Sequence, residues 1–234
     1  LLESFQRLSH AIPTGIFDNA GIDRLLARMF STRGRSNDFR RLKHRLYLVA
    51  TDLDTGEAVE FGAAGFDDVP ISTAVQASAA LPGLFPPVEI HGRYYVDGAL
   101  IKTLHASVAL RDGAELVLCV NPLVPFDSEL AERRDHKSRH SVNHLVEGGL
   151  PVVLSQTFRA IIHSRMKVGM DRYRHLHPGV DVVLFEPTRD DADMFFANVF
   201  SYSSRKKLCE HAYQRTRQDL YRRRHELAPI LERH

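Results

Sequence analysis

Three sets of residues have types and spacings that could do chemistry. His136, His140 and His144 stand four residues apart. On a helix that spacing puts three imidazoles on one face, and imidazole is a common metal ligand. The surrounding segment DHKSRHSVNH is rich in turn formers and cations, and no convincing carboxylate or thiol set completes a site. No metal is expected there, and His175 and His177 are read as surface residues. The acidic run Asp52-Leu53-Asp54-Thr55-Gly56 has the close carboxylates that can bind Ca²⁺ or Mg²⁺. The remaining ligands are missing, and Asp-Thr-Gly after a strand is ordinary turn chemistry. The third set is Tyr95-Val96-Asp97-Gly98-Ala99. Taken alone, Asp-Gly after a strand is a turn signal. A carboxylate at the C-terminal end of a strand is nevertheless well placed, because ligands bind at that edge of α/β sheets. Gly98 has no Cβ, so a substrate or another backbone could come close to Asp97. Such a carboxylate could accept the proton of a serine hydroxyl, as the base of a Ser–Asp pair.

The elements that must position these residues can be read from periodicity. Phe17 to Phe30 has an apolar helix spacing (Ile22, Leu25, Leu26, Met29, Phe30), with Asp18 or Asn19 as cap. Residues 31–39 are a polar loop. Arg45–Thr51 and Glu57–Gly62 read as two strands of a hairpin, and so do Val88–Ile90 and Arg93–Val96 around His91-Gly92. Ile71–Leu81 reads as a small-residue helix capped by Ser72 and stopped by Pro82-Gly83. A helix over Leu104–Leu110 and an apolar, buried-type strand over Glu115–Val120 suggest a βαβ crossover from the strand that ends at Asp97. Pro125–Asn143 is a polar excursion, and His144–His175 is a long helix. Asp181–Phe185 is the last strand, and a short apolar helix covers Asp193–Ser201. In the last segment Cys209, Tyr213, Thr216, Leu220 and Leu227 form a stripe expected to dock the helix on the body.

The chain has 234 residues, 44% hydrophobic and 26% charged. These are values of a globular protein and exclude disordered, collagen-like and coiled-coil classes. No apolar run approaches the length of a membrane span. The two cysteines, Cys119 and Cys209, form no disulfide framework, so a reducing compartment is expected, cytoplasmic or at the membrane periphery. Net charge is only +2, which speaks against nucleic acid as a partner. Arg205–His234 holds nine Lys or Arg against four acids, including Arg222-Arg223-Arg224. Arg-rich helices can meet phosphates of nucleic acid or anionic lipid, and the plainer reading is a solvated face on a docked helix.

The segment Ile71–Ala99, ISTAVQASAALPGLFPPVEIHGRYYVDGA, resembles the second half of a patatin-like phospholipase domain. That pattern is a small-residue helix, a P-G-x-F-P-P link and a hairpin ending in Asp-Gly-Gly or Asp-Gly-Ala. Leu48–Glu57 resembles the strand and turn before it, and Gly15–Asn19 the upstream helix start. Asp181–Phe196 and Phe200–Tyr213 resemble a bacterial branch of the family. The resemblance implies an α/β fold of three layers with a mixed, mostly parallel sheet. It implies that Asp97 is the dyad base, with Gly98 and Ala99 completing the motif, and that the substrate is a glycerolipid or phospholipid ester. It implies no cofactor and no metal. The family's Gly-rich oxyanion loop and G-x-S-x-G nucleophile elbow do not occur in these residues. Ser78, Ser107 and Ser155 lack the flanking glycines that present a nucleophile on a sharp turn. Leu100–His105 replaces the family's Asn-x-Pro-like stretch, which bears on substrate-side detail rather than on Asp97. Lys102 and His105 are near Asp97 in sequence and could line the site. Phe195, Phe196 and Phe200 could line an acyl site or be core.

The chain, which starts at Leu1, is therefore expected to be the C-terminal part of one patatin-like domain over residues 1–234, with a helical extension from about 190 to 234 and the first strands missing. A sheet without those strands would have a raw edge. The expected function is part of a serine lipid acyl hydrolase, supplying the aspartate and not the serine, and silent alone. The alternative is a non-catalytic lipid-surface or protein-binding module.

Overall fold

The computed structural model describes residue 15 and residues 18–134, 145–197 and 202–234. The histidine triplet His136, His140 and His144 lies outside the described residues, as does Phe200. The chain forms two compact units, residues 1–103 and 104–234.

Among the described residues, the first unit is built on two hairpins and two α-helices. Helix α1 (Ala20–Phe30) starts after Asp18, whose carboxylate accepts the Ala20 N–H at 2.9 Å. Asn19 is buried and turns inward, accepting from Gln76 Nε2 at 2.9 Å. Strands β1 (Leu48–Asp52) and β2 (Ala58–Phe61) form the first expected hairpin. Strands β3 (Val88–Ile90) and β4 (Arg93–Asp97) form the second. His91 (φ 52°) and Gly92 (φ 75°) both have positive φ between these strands, the geometry whose twist matches that of a tight hairpin. The sheet order is β2-β1-β4-β3, antiparallel throughout. Phe61 meets Tyr95 edge-on at 5.2 Å in the core.

Helix α2 (Ile71–Ser78) lies on this sheet, and its Ala74 and Ala77 are fully buried, so the small side chains let helix and sheet approach closely. Ser72 is not its cap. The N-cap position is Pro70, and the end of the helix is tied down by Asn37 from the polar loop. Asn37 Oδ1 accepts the Ser72 N–H at 2.8 Å, its Nδ2 donates to Ser72 Oγ at 3.0 Å, and its carbonyl accepts the Ile71 N–H at 3.0 Å. Asn37→Ala therefore strips two side-chain bonds from a helix end that includes the fully buried Ser72. We expect a loss of about 1 kcal/mol in urea unfolding. An unchanged midpoint would show that the loop does not cap the helix.

The acidic turn behaves as a turn. Asp52 is buried and accepts the N–H of Asp54 (2.9 Å) and of Thr55 (3.3 Å), and it pairs with Arg93. Burial alone would raise this carboxyl, but the Arg93 guanidinium and the two N–H groups outweigh it and hold the group below the usual carboxylate range. A depressed carboxyl adds stability above its unfolded pKa, and that stability is lost as pH falls through the folded value. Arg93→Met lifts the folded value, so acid unfolding followed by circular dichroism should begin at a higher pH. An acid limb that coincides with the parent's would refute this.

The second unit has one parallel strand pair, β5 (Leu116–Val120) with β6 (Asp181–Phe185). Helix α3 (Ala106–Arg111) precedes β5. Between the strands lie α4 (Ser128–Arg134) and the long α5 (Gly149–Leu176), with Pro151 in its first turn, where a missing N–H does no harm. Met166, Met170 and Tyr173 of α5 pack with Ala106 and Cys119, and Tyr173 Oη donates to Leu104 O at 3.2 Å. Helices α6 (Ala192–Phe195), α7 (Tyr202–Arg222) and α8 (Arg224–Leu231) end the chain.

The α/β class is as expected, but four finer expectations are corrected. Parallel pairing does not predominate among the described strands, because short tight turns join β1 to β2 and β3 to β4 and permit only antiparallel neighbours. The expected crossover from β4 to β5 is not a pairing; β5 pairs with β6, across α4 and α5. On β5 only Cys119 is buried while Leu118 and Val120 are exposed, so this strand is apolar without being buried on both faces. The expected stripe on the tail helix is also not its docking face. Cys209, Tyr213, Thr216 and Leu220 are exposed, and of that set Leu227 alone is buried. The inner face carries the half-buried Leu208, His211, Ala212 and Asp219 instead, with His211 bonded to the buried Asp191.

Candidate active site

Asp97 sits at the last position of β4, beside Ala50 of β1. Three hydrogen bonds fix it, two of them from sequence-distant elements. Its N–H donates to Ala80 O just past the end of α2 (3.1 Å), and its carbonyl accepts from Thr51 Oγ1 (3.1 Å). Its Oδ1 accepts the Ala99 N–H at 2.8 Å, which caps the short 3₁₀ turn Gly98–Leu100. Gly98 is buried, and a Cβ added there would lie 2.4 Å from Val49 O. The backbone that approaches this glycine is therefore that of β1. Asp97 Oδ2 has no hydrogen bond to any described residue.

Burial raises the Asp97 carboxyl above its usual range, and the Ala99 N–H offsets this only in part. The combination is what a general base requires. One oxygen is clamped for orientation, the other is unengaged by any described residue, and the affinity for a proton is increased.

The other sequence candidates fall elsewhere. Ser78 Oγ donates to Val49 O at 2.7 Å, so its proton is committed to the β1 backbone and serves to hold α2 on the sheet. Ser155 Oγ accepts from Arg159 Nε at 3.3 Å, and the Ser107 N–H donates to Tyr173 Oη at 3.3 Å. Lys102 continues the turn after Asp97 through its N–H to Gly98 O (3.3 Å). His105 is the N-cap position of α3, in the second unit. Phe195 and Phe196 pack with Phe126 at ring distances of 5.2 and 5.4 Å, and Arg159 lies over Phe195. The polar excursion is anchored there by Gln156, which accepts the Phe126 N–H and donates to Phe126 O. His175 is exposed, its Nδ1 2.7 Å from Asp171 O.

One cluster was not legible beforehand. Asp191, Asp193 and His211 converge within 4.8 Å. The His211 Nε2 lies 2.9 Å from both oxygens of the buried Asp191, whose Oδ1 also accepts the Met194 N–H. Asp193 approaches the opposite ring nitrogen at 3.7 Å, and Arg215 stands 3.7 Å from Asp191. With a carboxylate against each ring nitrogen and a guanidinium alongside, the group is built as a polar clamp holding α7 to α6. The sequence separation of 20 residues hid it.

Comparison with known proteins covers mainly the first unit. Residues 3–110 match the family model described as patatin-like phospholipase. An uncharacterized NTE family protein of Mycobacterium tuberculosis is 30% identical over 113 residues, 48% of this chain and 18% of that protein. A second from the same species is 34% identical over 73 residues, 31% of this chain and 19% of that protein. A Mycobacterium bovis protein of the same description is 30% identical over 113 residues. The chain thus spans about a fifth of the length of the curated relatives it matches. The likeness of residues 181–213 to a bacterial branch rests on the sequence alone. Over residues 3–110, which include Asp97, Gly98 and Ala99 with every described contact that fixes them, this chain is similar to the patatin-like phospholipase family.

Proposed function

We propose that this chain supplies the base of a serine lipid acyl hydrolase, with Asp97 as that base and the serine contributed from outside these 234 residues. The family match supports lipid hydrolysis as the reaction class. The observation that carries the finer reading is Asp97 itself, held through its backbone and Oδ1, with Oδ2 unengaged and its proton affinity raised by burial.

In this reaction the serine hydroxyl attacks the ester carbonyl of a glycerolipid while its proton passes to Asp97. The proton then leaves with the departing alcohol as the acyl-enzyme forms. Water attacks the acyl-enzyme, Asp97 takes a proton from it, and the fatty acid departs as the serine recovers its hydrogen. Gly98 keeps β1 close and so keeps the carboxylate at the strand end. No step requires a cofactor or a metal.

The chain alone should give no turnover of a soluble p-nitrophenyl ester and no covalent labelling by a fluorophosphonate. Turnover by the chain alone that Asp97→Ala abolishes would place a nucleophile within it and overturn the division of labour. Turnover untouched by Asp97→Ala would overturn the role of Asp97.

A further inference from the structure

The outward face of α7 and the start of α8 combine cations with aromatic rings. Lys206, Glu210, Tyr213, Arg217, Leu220 and Tyr221 follow one another at steps of three, four or one, so they share one side of α7, and Arg224 at the start of α8 lies over the Tyr221 ring. All are exposed, Tyr213 at 58% and Tyr221 at 71%. The opposite side is the docked one. It carries Leu208, His211, Ala212 and Asp219, with His211 bonded to Asp191 and Asp219 to Arg223.

The charges on the two sides are used differently. Arg223 is spent on Asp219 and Glu226. Lys206, Lys207, Arg217 and Arg224 form no ion pair with any described residue. Arg217 lies over the Tyr213 ring at 5.7 Å and Arg224 over the Tyr221 ring at 4.5 Å. Glu210 is the lone acid on this face, and its side chain is bonded by Gln214 at 2.7 Å. A water-facing helix has no need of two large exposed tyrosines and Leu220 beside its cations. A headgroup layer accommodates all of them, because Tyr is stable at the boundary of apolar and polar phases and Arg and Lys meet lipid phosphate.

We infer that the outward face of α7 and the start of α8, with Lys206, Tyr213, Arg217, Tyr221 and Arg224, is a docking surface for an anionic lipid bilayer. It deepens the lipid-hydrolase reading by stating how the second unit meets the phase that holds the substrate. No described helix is long and apolar enough to cross a membrane, so this contact is interfacial.

The test uses the full 234-residue chain and co-sedimentation with vesicles. Vesicles of phosphatidylcholine with 30% phosphatidylglycerol, by design, should bind it at about 0.1 M salt, and pure phosphatidylcholine vesicles should not. K206Q/R217Q/R224Q should weaken binding on the order of 100-fold, since each cation near the surface contributes about 1 kcal/mol. Y213S/Y221S should weaken it about tenfold with the charge unchanged. R24Q/R33Q/R35Q, which removes as much charge from exposed positions in the first unit, should bind as the parent does. Circular dichroism and a melting curve matching the parent establish that each variant is folded. Equal binding to neutral vesicles, parental binding by the triple Gln variant, or an equal loss in the control would each overturn the inference, as would binding to duplex nucleic acid with none to vesicles. Binding is read without turnover, so hydrolysis of a soluble ester in the presence of the serine tests the other reading separately.

Discussion

Asp97→Asn is expected to lower kcat/KM for ester hydrolysis about 10³-fold in the full-length protein while leaving it folded. The amide has nearly the shape of the carboxylate, and its oxygen can still accept the Ala99 N–H at the 2.8 Å separation seen here. The contacts of the backbone with Ala80 and Thr51 are untouched. What is lost is the ability to take a proton. The same change should not destabilise the protein. Burial raises the Asp97 carboxyl, the Ala99 N–H only partly opposing it. A group raised on folding contributes stability below its unfolded pKa and loses it as pH rises through the folded value. At neutral pH the ionised side chain is therefore a net cost, and the melting temperature of the amide variant should equal or exceed that of the parent. Kinetics with a soluble ester and a thermal melt on the same preparation decide the matter. Activity within tenfold of the parent would remove Asp97 from the chemistry, and a lower melting temperature would show that the ionised carboxylate holds the turn together.

Gly98→Ala is expected to cost about 3 kcal/mol of stability. The new Cβ would sit 2.4 Å from Val49 O and 2.9 Å from Val49 C, both backbone atoms in the strand next to β4. No rotamer change relieves such a clash; β1 and β4 must separate at the position where Ala50 pairs with Asp97. The comparison is Gly92→Ala. That glycine has open space around it and only a positive φ of 75°, so the cost is backbone strain of about 1 kcal/mol. Urea unfolding of both variants should give Gly98→Ala the lower midpoint by a wide margin. In the full-length protein Gly98→Ala should also lower activity, since the displaced strand end carries Asp97. Equal midpoints would show that the strands absorb the methyl without moving.

Much of the first unit could be read directly from the chain. Both hairpins announce themselves by short alternating strands around turn residues, and that alternation is local. The small-residue run from Ala74 to Ala80 marked a helix that approaches a sheet closely, because alanine at successive buried positions has no other use. Asp97 stood out through the long motif around it rather than through its own neighbours. The parts that failed were those in which two distant residues decide the outcome. Ser72 looked like a cap, yet Asn37, 35 residues upstream, supplies the oxygen. The apolar spacing of Cys209, Tyr213 and Leu220 suggested the docking face, yet the pairing of His211 with Asp191 turned that stripe to solvent. Sheet order failed for the same reason, since which strand pairs with β5 is a choice between partners that are equally apolar in sequence.

By itself the sequence determined the α/β class, the two hairpins, the small-residue helix and the identity of the acid at the end of β4. Each depends on spacing within a few residues, where backbone geometry leaves little choice. The tertiary structure decided how that acid is held and what the tail helix presents. Ala80, Thr51 and Val49 meet Asp97 and Gly98 only after α2 and β1 have packed, and burial, which raises the proton affinity of Asp97, exists only in the packed state.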